Sequence, residues 1–112
     1  MRRGELWLAA LRPSRGSEVG YRRPVAIVQA NGFNRSRIRT VVVAAVTTNM
    51  RLGDAPGNVV LQPPESGLTR ASVLNVSQVL TIDKSYLEER IGKLSSVRMR
   101  EVDAGLRQVL AL

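Results

Sequence analysis

At 112 residues, the chain has the length of one compact domain, 1–112, able to bury roughly two thirds of its unfolded surface around a single core. It contains neither cysteine nor histidine, which excludes disulfides, thiolate ligands, thiol nucleophiles and the imidazole that most often moves protons near neutral pH. The net charge of +8 is uneven: residues 1–39 hold nine Arg and two Glu, net +7, and residues 40–112 hold net +1. The amino-terminal third is therefore the electrostatic face, suited to RNA, DNA or an acidic protein.

Gly4 to Leu11 reads as a first strand stopped by Pro13. At about eight residues with Glu5 inside, it is too short for a membrane span or a signal peptide, so no membrane association is expected and the cytoplasm is the expected compartment. Ser14 to Arg22 is polar and charged and reads as a loop. Strands follow at Pro24 to Gln29 and Thr40 to Val46, joined by the polar stretch Ala30 to Arg39. The Val41–Val46 run fits a buried strand.

Gly53 to Gly57 reads as a connection, Asn58 to Leu61 as a short strand closed by Pro63-Pro64, and Ser72 to Leu74 and Ser77 to Ile82 as two more strands. Asp83 is a candidate cap for a short helical turn through Arg90, with Ile91 to Leu94 returning as a strand. Met99, Val102, Leu106, Val109 and Leu110 fall on one stripe at spacings of three and four, behind a Ser95 or Ser96 cap. They predict a terminal amphipathic helix, with Asp103 and Arg107 paired at i,i+4. Many short strands and one such helix predict a mainly β chain with some α: a curled, SH3-like antiparallel barrel covered by the carboxy-terminal helix. The carboxylates are scattered, without the DxD, ExxE or DxxD clusters that hold Mg²⁺. No metal and no cofactor are expected.

Read in order, Arg3-Gly4-Glu5-Leu6-Trp7, Pro13-Ser14-Arg15-Gly16-Ser17-Glu18, Arg23-Pro24-Val25 and Val46-Thr47-Thr48-Asn49 resemble the MazF/PemK toxin family. Asp54-Ala55-Pro56-Gly57-Asn58-Val59, Gln78-Val79-Leu80-Thr81-Ile82-Asp83-Lys84 and Ile91-Gly92-Lys93-Leu94-Ser95 extend the likeness to the terminal helix. The resemblance implies the barrel shared with CcdB, a homodimer, and an endoribonuclease that cuts single-stranded RNA at a short sequence, leaving a 2′,3′-cyclic phosphate and a 5′-hydroxyl. A cognate acidic antitoxin is implied as partner. Arg23 matches the family's catalytic arginine before proline, Thr47 its catalytic threonine, and Ser17 and Glu18 the loop beside them. Two positions depart from the family pattern: Ala9-Ala10-Leu11-Arg12-Pro13 lacks the acidic residues common before that proline, and Leu80 stands where relatives often carry a basic residue.

These residue types suit cleavage by the RNA's own 2′-hydroxyl, which needs alignment, stabilisation of phosphorane charge and two proton transfers. The Arg23 fork can grip two phosphoryl oxygens, the Thr47 hydroxyl can donate one bond more, and Pro24 helps hold Arg23 extended. An arginine, whose pKa lies far above neutral, would need about 7.5 kcal/mol to act as base at pH 7. Glu18, already ionised, is thus the candidate base or orienter; its bland alternative is neutralising Arg15 or Arg22 at the surface.

Arg15, Ser17, Tyr21, Arg22, Asn31, Thr48 and Gln78 are the candidate RNA contacts. For each a structural alternative stands: Tyr21 could stack on a base or shield the loop, Asn31 and Gln78 could read base edges or satisfy backbone groups, and Thr48 could replace Thr47. Trp7 fits a buried strand position better than a stacking platform. Two other functions compete with RNA cleavage: a nuclease-inactive CcdB-like poison binding DNA gyrase, and a plain RNA- or antitoxin-binding module.

Overall fold

The structure is a computed structural model that describes residues 1–12 and 21–112. Six antiparallel strands form one curled sheet: β1 (Glu5–Arg12), β2 (Tyr21–Ile27), β3 (Thr40–Thr47), β4 (Val59–Leu61), β5 (Ser72–Asp83) and β6 (Leu87–Lys93), in the spatial order β4-β5-β3-β2-β1-β6. A one-turn helix α1 (Asn31–Asn34) lies between β2 and β3, and α2 (Ser96–Leu110) closes the chain.

The Val41–Val46 run becomes the middle of β3, flanked by β2 and β5, where nearly every side chain is buried. Alternation along each strand sorts the apolar residues onto two faces. Leu6, Ala26, Ala44, Val46 and Leu74 pack with Val102 of α2 in one core, whereas Ala9, Val25, Ile27, Val41, Val43 and Ile82 form a second on the opposite face. Trp7 joins the rim of the second core, half-buried, and its indole N–H donates to the Glu5 carboxylate at 3.1 Å.

Several expectations are corrected. Tyr21 and Arg22 belong to β2 and not to a loop, because they pair with Arg12 and Ala10 of β1. The segment 30–39 contains α1, which sequence periodicity cannot register in four residues. Ser72–Leu74 and Ser77–Ile82 are one strand. Ala44 pairs with Val79 and Ala45 with Asn75, so residues 76–78 form a bulge without counterparts in β3. Three extra residues, an odd number, reverse the alternation: Leu74 faces the α2 core and Ile82 the other one. After Asp83 there is only a 3₁₀ turn, Lys84–Tyr86, with the Asp83 carboxylate accepting from the Ser85 N–H at 2.8 Å; β6 then starts at Leu87.

Helix α2 is capped by Ser95, whose hydroxyl accepts from the Arg98 N–H. Val102 is fully buried, but Val109 and Leu110 are exposed, so the stripe is buried only in its first turns. Asp103 does not pair with Arg107. It binds the Arg3 guanidinium at 2.7 Å, tying α2 to the start of β1, a long-range contact invisible to helix periodicity.

Candidate nucleic-acid cleavage site

Pro24 cannot donate to a sheet ladder, and the β2–β3 pairing begins one residue later, at Val25↔Ala45, continuing through Ala26↔Ala44 and Ile27↔Val43. Extending that register two residues toward the strand ends sets Arg23 level with Thr47. Both line one cleft of about 150 Å³, completed by Arg22, Pro24, Val46, Thr48 and Ser72. The antiparallel geometry thus delivers a guanidinium and a hydroxyl to one edge of the sheet from segments far apart in sequence.

The local bonding differs sharply among these side chains. Thr47 Oγ1 accepts the Asn49 N–H at 3.1 Å, which fixes the oxygen and leaves its proton for donation to something in the cleft. Arg23 has its guanidinium carbon 5.0 Å from the centroid of the Tyr21 ring, two residues earlier on the same strand face. Arg22 points its Nε–H at the Glu88 carboxylate of β6, 2.8 Å away, so part of its charge is already answered within the chain. Thr48 is exposed just beyond the end of β3. Ser72, buried at the start of β5, donates its hydroxyl to the Arg70 carbonyl at 2.9 Å.

Arg15, Ser17 and Glu18 lie outside the described residues. The remaining candidates are not gathered at the cleft. Asn31 is in α1, near the opposite end of β2, where its Oδ1 accepts the Arg3 N–H at 2.7 Å and anchors the amino terminus to the helix turn. Gln78 is exposed within the β5 bulge and does not line the cleft. Ser72 and Glu88 carry no sequence signal of their own: they emerge only once the registers of β5 and β6 are known.

The site can bind an anion through two arginines, donate a hydroxyl proton to it and exclude little water, since the cleft is open. Among the described residues no three acidic side chains converge, and no helix is long and apolar enough to cross a membrane.

Comparison with known proteins gives a consistent set of likenesses. A family model described as the PemK-like, MazF-like toxin of type II toxin-antitoxin system matches residues 2–110. The chain is 43% identical over 110 residues to the endoribonuclease MazF6 of Mycobacterium tuberculosis, covering 98% of this chain and 96% of that protein. It is equally similar to the endoribonuclease MazF2 of Mycobacterium bovis, 43% identical over the same length. Among solved structures, an endoribonuclease in complex with its cognate antitoxin from a mycobacterial species superposes with a TM-score of 0.82 at 25% identity, covering 100% of this chain and 96% of that one. The Mycobacterium tuberculosis toxin MazF-mt6 matches in fold with a TM-score of 0.78 at 21% identity, over 96% and 97% of the two chains.

Proposed function

Because the chain belongs to the PemK-like, MazF-like toxin family of type II toxin-antitoxin systems, we propose that it is a metal-independent endoribonuclease that cuts single-stranded RNA and is held inactive by a cognate acidic antitoxin. The observation that carries this reading is the shared cleft of Arg23 and Thr47.

In the proposed reaction the ribose 2′-oxygen attacks its own phosphorus. A bond forms between O2′ and phosphorus, the bond to the 5′-oxygen breaks, and the products are a 2′,3′-cyclic phosphate and a 5′-hydroxyl. Arg23 offers in-plane N–H donors to two non-bridging oxygens, and Thr47, its oxygen already oriented by the Asn49 N–H, donates a third bond. Such donors are each worth about 3–4 kcal/mol when they face charge that grows in the transition state. The 2′-hydroxyl proton goes to Glu18, the ionised carboxylate of the adjoining segment, and the leaving 5′-oxygen takes a proton from Arg23 or from water. Arg22 and Thr48 border this phosphate, Tyr21 stands beside Arg23, and Arg15 and Ser17 contribute from the segment before β2. Asn31 and Gln78 belong to the RNA path only outside the cleft.

The protein acts as a homodimer in the cytoplasm on this reading, as one toxin domain over 1–112. A gyrase poison of CcdB type is not favoured, because both curated relatives named above are endoribonucleases. The test is incubation of the purified protein with a long RNA in EDTA, with an Arg23→Ala control. Discrete fragments ending in cyclic phosphate, absent in the control, support the nuclease. Intact RNA with altered gyrase turnover would support the poison, and saturable binding without product the plain binding module.

A further inference from the structure

Tyr21 and Arg23 stand two residues apart on one face of β2, and the guanidinium carbon lies 5.0 Å from the ring centroid. The tyrosine is 40% exposed at the mouth of the strand. Its neighbour Arg22 lines the same cleft but is held through Nε by Glu88. The two arginines therefore meet opposite treatments. A carboxylate takes up in-plane N–H donors, whereas an aromatic ring engages a guanidinium through its π face.

From this contrast we infer that Tyr21 is a positioning residue for Arg23: the ring holds the guanidinium by its face while leaving the donor edge free for the scissile phosphate. The proposal rests on the reading of Arg23 as phosphate clamp. An unrestrained arginine has large rotamer freedom, and fixing its fork in advance removes that loss from the reaction step. The ring face that Arg23 covers is not open to a nucleobase, so on that face Tyr21 acts through the arginine. The hydroxyl is dispensable in this role, because the attraction comes from the ring quadrupole.

The test is steady-state cleavage of a defined single-stranded RNA by the full chain, with kcat and KM resolved separately. Tyr21→Leu lowers kcat by about fivefold to tenfold with little change in KM, the size expected for a half-exposed cation–π contact, while Tyr21→Phe stays within about twofold of the parent. In an Arg23→Lys background, whose compact ammonium lacks the planar fork, Tyr21→Leu costs markedly less than in the parent. Should Tyr21→Leu fold poorly by circular dichroism, Tyr21→Gln, which lacks a ring, carries the same comparison. A raised KM at unchanged kcat returns the ring to base stacking and overturns the proposal, as does a Tyr21→Phe loss equal to that of Tyr21→Leu. Full cleavage by Arg23→Ala is a separate outcome, which sinks the clamp reading itself.

Discussion

Gly105 of α2 rests directly on the backbone of Gly57: a methyl group built on Gly105 would overlap the Gly57 carbonyl and approach Val76. Gly57 itself has φ +80°, a conformation open to glycine at little cost. The pair lets the helix lie on the turn before β4 closely enough for Val102 to be fully buried.

Replacing Gly105 by alanine therefore sets two effects against each other. Alanine favours a helix interior by about 1 kcal/mol over glycine, but overpacking against a fixed backbone typically costs about 1–3 kcal/mol and here meets a carbonyl rather than a flexible side chain. The clash wins, and Gly105→Ala lowers the urea midpoint with an unchanged m-value. An equal or higher midpoint would mean that α2 can lift off the turn without loss.

Glu5 gives the stability a pH dependence. Burial pushes its pKa up from the ordinary 4.5, but hydrogen bonds from the Arg2 backbone, the Trp7 indole and Arg90, with the charge of Arg90, outweigh burial and hold it lower. A carboxylate depressed in the folded state contributes stability in full above 4.5 and loses it as pH falls through the folded value. As pH falls below 4.5 and through the lowered folded value, the parent loses more stability than Glu5→Gln, whose curve is flatter. Parallel curves from thermal melts across this range would contradict the assignment.

How far the residues announce this arrangement depends on the distance over which each contact acts. Local signals were sufficient for the Val41–Val46 strand, the Ser95 cap and the first turns of α2. They failed where structure is set by partners elsewhere in the chain. The β5 strand looks broken because its bulge reverses the alternation, and only pairing with β3 makes it continuous. Asp103 has a good helical partner in Arg107, yet the nearer charge in space is Arg3. At the cleft, Arg23 and Thr47 were marked by family resemblance alone; one arginine among fifteen has no intrinsic distinction. Its juxtaposition with Thr47 follows from strand register, which a single sequence does not specify.

Thr47 and Thr48 both border the cleft, but only Thr47 continues the register opposite Arg23 and has its oxygen oriented by a backbone N–H. Thr47→Ala is expected to lower kcat by about 10²–10³-fold, the usual effect of deleting one preorganised donor to an oxyanion. Thr47→Ser, keeping the hydroxyl, recovers most of that loss, and Thr48→Ala changes kcat by less than about threefold because an exposed, unpositioned donor adds little. A larger loss at Thr48 would exchange the two assignments.

On the proposed reading, the Arg22–Glu88 pair sets how much positive charge the cleft offers to RNA. Both side chains are substantially exposed, 44% and 36%, so the pair adds little to stability, and Glu88→Gln should fold normally. The substitution frees the Arg22 Nε–H and removes a carboxylate that repels phosphate. One more neutralised phosphate steepens the dependence of log binding constant on log salt by about 0.7 for a single strand. Glu88→Gln is thus expected to bind a non-cleaved, 2′-deoxy-substituted RNA more tightly at low salt, with the advantage shrinking as salt rises. Fluorescence anisotropy over a salt series measures both quantities. An unchanged slope would mean that Arg22 makes no phosphate contact even when released, leaving Arg23 to carry the charge of the cleft alone.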